Sequence, residues 1–181
     1  GAGVRDAREE VLELAERIKS PIGHAFGGKE FMQYDNPFDV GMSGLLGYGA
    51  CYEAMHEADL VILLGTDFPY SEFLPGPGGK NPPKVVQVDA EASRLGRRVP
   101  LDLALHGDVG LTLQAVMPLL TREKSARFLH RQLKAHHKAL SGVVSAYTKN
   151  VERMKPIHPE FVAATLDELA DEDAVFTVDT G

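Results

Sequence analysis

The sequence predicts an α/β fold, a three-layer Rossmann-like arrangement in which a parallel sheet has helices on both faces. Three observations predict it. Segments of strand character, PIGHAF (21–26), LVILLGT (60–66), KVVQVD (84–89) and LALHG (103–107), alternate with helical ones, the order that builds βαβ units. The run LVILL at 60–64 is apolar without interruption, which suits a strand covered by helices on both sides, with no face turned to water. Turn residues follow the strands directly, as in GTDFPY at 65–70. That is where a parallel sheet leaves backbone amides free for a ligand.

Each element has its own signal. Between Arg5 and Lys19, Val11, Leu12, Leu14, Ala15 and Ile18 recur at helical spacing, and Ser20-Pro21 stops the helix. Residues 50–57 and 109–120 read as further helices, the second following the 103–107 strand. LPGPGGKNPP (74–83) holds too much Pro and Gly for helix or central strand and reads as a loop placed to close over a ligand. A long, mostly polar helical stretch runs from Thr121 to about Val151 and is broken by Pro156. HPEFVAATLDELA then starts a new helix, and AVFTVDTG (174–181) reads as a strand.

The 181 residues, 44% hydrophobic and 25% charged, suffice for one substantial core. A net charge of -7 and the lack of any basic run argue against nucleic acid and anionic lipid as partners. No apolar run reaches the roughly 20 residues that span a bilayer. Cys51 is the single cysteine, so no internal disulfide forms, and a reducing, cytoplasmic setting is the expectation. The chain opens on Gly-Ala-Gly without Met and without a signal-peptide pattern, which reads as a piece of a longer protein, truncated at both ends.

Five features are candidates for chemistry. Gly1 and Gly3 form a G-x-G just ahead of a helix, an arrangement that brings backbone close to a pyrophosphate. Position 6 is Asp rather than the third glycine of a full fingerprint, and a flexible chain end explains the pair equally well. GMSGLLGYG (41–49) packs four glycines ahead of a helix, either as a cradle for an extended ligand or as a tight packing corner. Asp89 closes a strand, where a carboxylate holds ribose hydroxyls or caps the turn that follows. His130 and His137 stand among Arg131, Lys134 and Lys138, a solvated face rather than a metal site. Cys51, in apolar company, reads as buried rather than nucleophilic. Taken together, the G-x-G, the glycine loop and the strand-end Asp point to a dinucleotide along one sheet edge.

The blocks GGKEFMQYDNPFDVGMSGLLG (27–47), ADLVILLGTDFPY (58–70), KVVQVDAEASRLGRR (84–98) and LDLALHGDVGLTLQAVMPLL (101–120) resemble the middle domain of thiamine diphosphate-dependent enzymes. Within that superfamily they are most similar to pyruvate oxidase and the quinone-dependent pyruvate dehydrogenase. NPFDVGM and GTDFPY are the discriminating motifs. Acetolactate synthases share the layout, usually with a histidine in the glycine loop that this chain lacks.

The resemblance implies a six-stranded parallel sheet, with a strand ahead of Gly1, that binds FAD. It carries flavin contacts to Gly1 and Gly3, to Ser43, Gly44, Leu45 and Leu46, to Thr66, Asp67, Phe68, Pro69 and Tyr70, and to Asp89. Ser71 stands where the quinone-dependent enzymes have Arg, and the 74–83 loop is longer than usual, so the chain by itself is expected either to hold FAD or to lack it. The implied layout is a cofactor domain over 1–121, a connecting helix over 122–155, and the opening of a thiamine diphosphate- and Mg²⁺-binding domain over 156–181. The parent is expected to decarboxylate pyruvate or a similar 2-oxo acid oxidatively, as a homodimer or homotetramer. The alternatives are an acetolactate synthase with structural FAD and a bridging domain without flavin. The chain alone is expected to be inactive, and monomeric or weakly dimeric.

Overall fold

The computed structural model describes residues 1–66, 73–74, 82–122 and 124–178, with Tyr147 as backbone only, and among the described residues hydrogen bonds sort six strands into two sheets of three. The chain divides into two compact units, Gly1–Ala139 and the segment from Leu140 onward.

In the first unit β4 (Leu60–Leu64), β5 (Lys84–Asp89) and β6 (Leu103–His106) are parallel and in order, with Val61 opposite Val85 and Val88 opposite Leu105. The alternation of β4 explains its composition. Ile62 and Leu64 pack with Val11 and Leu14 of α1 (Arg8–Ile18) and with Val109 and Leu113 of α4 (Val109–Val116). Val61 and Leu63 pack on the other face with Met55 of α3 (Cys51–Glu57), Ala58, Leu74 and Val99. Both faces of the strand are therefore covered, and a polar residue on either would lose its water without gaining a partner. Asp108 caps α4 by accepting from the amide of Leu111 at 2.9 Å.

The second sheet departs from the all-parallel expectation. β1 (Ile22–His24) pairs in parallel with β2 (Asp39–Met42), but β2 turns back into β3 (Tyr48–Gly49), which is antiparallel. The glycine-rich stretch read as a loop is thus a hairpin. Its glycines allow this: Gly41, Gly44 and Gly49 have φ of 93°, 111° and 78°, conformations that cost other residues about 1 kcal/mol or more. A short helix, α2 (Lys29–Met32), and a 3-10 turn at Phe26–Gly28 link β1 to β2 and left no periodic signal in the sequence.

Among the described residues no hydrogen-bonded ladder joins β1 to β4. Between them lies a cavity of about 960 Å³, walled by residues of both strands and by Gly1.

The long polar stretch becomes α5 (Arg127–Thr148), shorter than 121–151 and not wholly solvated. Leu129, Gln132 and His136 are buried in the first unit. In the second unit α6 (Pro159–Leu169) forms as the sequence predicts, with Pro159 in its first turn. The expected strand at 174–181 does not form over its described part: residues 174–178 take no regular structure, and Val175 and Val178 are exposed. An extended segment needs a neighbouring strand to satisfy its amides and carbonyls, and no described strand pairs with it. No described helix is long and apolar enough to cross a membrane.

Candidate functional site

The rim at the carboxyl end of β4 is built from backbone. The amino group of Gly1 donates to the carbonyl of Leu64 at 3.0 Å, and the amide of Gly3 donates to that of Gly65 at 3.0 Å. Gly65 has φ 51° and donates to Val88 of β5 at 2.9 Å. Side chains do not fit here. A Cβ on Gly1 would lie 2.4 Å from the Gly65 oxygen, and one on Gly3 would lie 2.7 Å from Gly65 Cα. Gly28, just past β1, closes on Gly1 from the other side: a Cβ there would meet the Gly1 oxygen at 3.2 Å. Burial pushes the Gly1 amino group down to about 5, against an opposing pull from the Asp89 carboxylate.

Asp89, at the tip of β5, is buried. Both readings of its carboxylate hold geometrically. Oδ1 accepts from the amide of Glu91 at 2.9 Å and so caps the turn, whereas Oδ2 is buried without a hydrogen-bond partner. Two residues back, buried Gln87 ties two loops together. Its amide group donates to the carbonyls of Thr66 at 3.3 Å and Arg94 at 3.2 Å, and its oxygen accepts from the amide of Gly96 at 3.0 Å. The sequence reading missed Gln87; the available signal was a lone amide in an otherwise apolar strand, KVVQVD.

The hairpin supplies the third part. The Ser43 amide donates to the His24 carbonyl at 3.1 Å, and Gly47 donates to Gly44 at 2.8 Å, closing the turn. Ser43 is buried with its hydroxyl unpartnered, whereas Leu45 and Leu46 are 71% and 65% exposed. Beneath the hairpin lies a group that the sequence reading also missed, His24, Asp39, Tyr48 and His136. Its members are far apart in the chain, and no local spacing announces them.

The structure brings Gly1, Ser43 and Thr66 into the wall of one cavity, with Gly3 against Gly65. Asp89, Gly44, Leu45 and Leu46 are not in that wall, although Asp89 acts electrostatically on Gly1. Asp67, Phe68, Pro69 and Tyr70 lie outside the described residues, as do Ser71 and most of the 74–83 loop. Cys51 is buried, and burial raises its thiol to about 12, which keeps it protonated and unreactive at neutral pH. His130 and His137 are exposed on α5.

A parallel sheet flanked by helices, with glycines and a strand-end carboxylate at its carboxyl rim, defines an α/β domain of cofactor-binding architecture. Residues 1–116 match the family model of the thiamine pyrophosphate enzyme central domain, and the chain belongs to that family. It is 44% identical over 143 residues to an uncharacterized 42.6 kDa protein encoded in the isoamylase 3' region of Pseudomonas amyloderamosa, covering 79% of this chain and 35% of that one. It is 32% identical to YdaP of Bacillus subtilis (strain 168), provisionally named as containing thiamine pyrophosphate, over all of this chain and 30% of that one. It is 24% identical to the pyruvate oxidase of Lactiplantibacillus plantarum, over all of this chain and 29% of that one. The chain thus spans about a third of the length of these curated relatives.

Proposed function

We propose that this chain is the cofactor-positioning domain of a thiamine diphosphate-dependent enzyme, and that it binds FAD along the rim formed by Gly1, Gly3, Ser43, Thr66 and Asp89. One observation carries the reading. Backbone packed too closely for any side chain at Gly1, Gly3 and Gly65 stands beside a buried carboxylate whose Oδ2 is unpartnered. A buried charged oxygen without a donor costs about 1–3 kcal/mol or more, and a ribose hydroxyl is a donor of the right kind at a strand tip. The unpartnered hydroxyl of Ser43 offers a second contact.

When bound, the flavin would supply redox capacity to the parent enzyme. This chain's residues bind and orient it. Asp89 Oδ2 accepts from ribose, and Gln87 fixes the loop after β4 on which Thr66 sits. Thiamine diphosphate and Mg²⁺ belong to other parts of the parent, whose substrate is pyruvate or a similar 2-oxo acid and whose assembly is a homodimer or homotetramer.

Titration of the chain with FAD, followed by quenching of flavin fluorescence, tests the reading. Saturable binding that Asp89→Asn weakens about tenfold supports it, the loss expected for one polar contact to a charged group. A chain that takes up no flavin overturns it in favour of a bridging domain. Reduction of the flavin by pyruvate in the intact parent separates an oxidase from a synthase, in which the flavin stays oxidised.

A further inference from the structure

We propose that the buried chain His24–Asp39–His136 is a proton-released latch that seats α5 on the β2–β3 hairpin. Within the first unit α5 presents one docking stripe. Leu129 packs with Ala15 and Phe38, and Gln132 donates to Glu57 at 2.7 Å. Leu133 packs beside Val40 and Cys51, and His136 is the last buried residue of the stripe before Ala139. The spacings of three and four put these residues on one helix face.

The seat of His136 is unusual. Its ring lies directly on Gly49, where a Cβ would come 2.3 Å from Nδ1, so only glycine at that position admits the imidazole. Nε2 stands 3.7 Å from Asp39 Oδ2, and Asp39 Oδ1 stands 3.7 Å from His24 Nε2. These spacings are within ion-pair range but too long for hydrogen bonds. Asp39 is instead fixed by the amide of Gly41 at 3.0 Å, and His24 Nε2 lies 3.5 Å from the Tyr48 hydroxyl. One carboxylate thus faces two buried imidazoles, each with an Nδ1 that has no partner.

The pocket accepts neutral rings and resists charged ones. A proton on His136 must share Asp39 with His24 and has the Val40 carbonyl as a further acceptor, and burial outweighs both. In water the same imidazolium is solvated on all sides, so proton uptake shifts the equilibrium toward the released helix. The groups that act on this pair are few. They are Asp39 of β2, which faces both rings; toward His24 the backbone of Ala25, Lys29, the Gly1 amino group and the Tyr48 hydroxyl of β3; and toward His136 the backbone of Val40 and His137 of α5 itself. Burial holds both imidazoles below their usual range while Asp39 pulls the other way, and Lys29 and His137 add to the lowering. Leu129 and Leu133 carry no titratable group, so the first turns of α5 keep their seat.

Hydrogen exchange of α5 amides in the whole chain, corrected for intrinsic rates, tests this. Between about pH 7.5 and about pH 5.5, a window set by histidine titration, amides of residues 135–139 are expected to lose roughly tenfold in protection, the effect of one proton per pH unit. Those of residues 129–133 should keep theirs. His136→Gln should abolish the pH dependence, and His24→Gln should retain it. Unchanged protection at 135–139, equal loss along the whole chain, or dependence that survives His136→Gln but not His24→Gln would each overturn the latch.

Discussion

Gly3 and Gly65 meet backbone to backbone: the Gly3 amide donates to the Gly65 carbonyl at 3.0 Å, and neither position has room for a side chain. The contact joins the first turn of the chain to the tip of β4, and it places Gly1 against Thr66. Gly3→Ala is expected to destabilise the chain by about 1–3 kcal/mol, because the added methyl meets backbone that cannot yield. Gly65→Ala should cost a similar amount, since its φ of 51° adds strain to a 2.5 Å approach to Gly3 Cα. Urea unfolding of both variants measures this.

Asp89 separates stability from binding. Asp89→Asn keeps an oxygen for the Glu91 amide and should change stability by less than about 0.5 kcal/mol, whereas Asp89→Ala removes the cap and should cost about 1 kcal/mol. Both should weaken FAD. Thermal unfolding beside flavin titration distinguishes the two roles, and equal stability of the two variants would count against the cap.

Acid should weaken the fold before the carboxylates titrate. His24 and His136 are held below their usual range by burial, and the Gly1 amino group is pushed down to about 5. Each therefore binds more protons unfolded than folded. Their stability is fully present above the unfolded values, near 8 for the amine and 6.5 for the histidines, and is lost as pH falls below them. Urea unfolding at steps from about pH 8 to about pH 5 should show stability falling by up to about 1.4 kcal/mol per pH unit for each proton taken up. A flat profile would contradict the buried, neutral state of these groups.

Arg8 closes the turn after α2. Its guanidinium donates to the carbonyls of Phe31, of Tyr34 at 2.7 Å and of Asp35 at 3.0 Å, where Asp35 has φ 49°. Arg8→Ala is expected to cost about 1–3 kcal/mol, the range for bonds from a charged donor. Arg8→Lys should recover little, because a point charge does not span three carbonyls as a planar fork does. Denaturant midpoints of the two variants check this.

The parallel sheet of β4 to β6 and its covering helices were legible because each strand announces its own environment. LVILL is apolar because α1 and α4 pack on one face of the strand and Met55, Ala58, Leu74 and Val99 on the other, and α1 shows its stripe because that face meets the sheet. The β2–β3 hairpin was not legible, because GMSGLLGYG states conformational freedom without stating its use. The strand expected at 174–181 does not form over its described part, 174–178, where strand composition stands without a described strand beside it. Asp89 was legible as a site candidate from its place after KVVQV. Gln87 and the Asp39 cluster were not, because the signal for each is a partner distant in the chain.

By itself the sequence determined the class of fold and the family, since periodicity, strand composition and glycine placement act locally and are written residue by residue. Only the tertiary structure decided how β1, β2 and β3 pair, which glycines touch, and that Asp39 lies between His24 and His136. Those outcomes depend on burial and distance between segments up to about a hundred residues apart, and no local pattern encodes a separation in space.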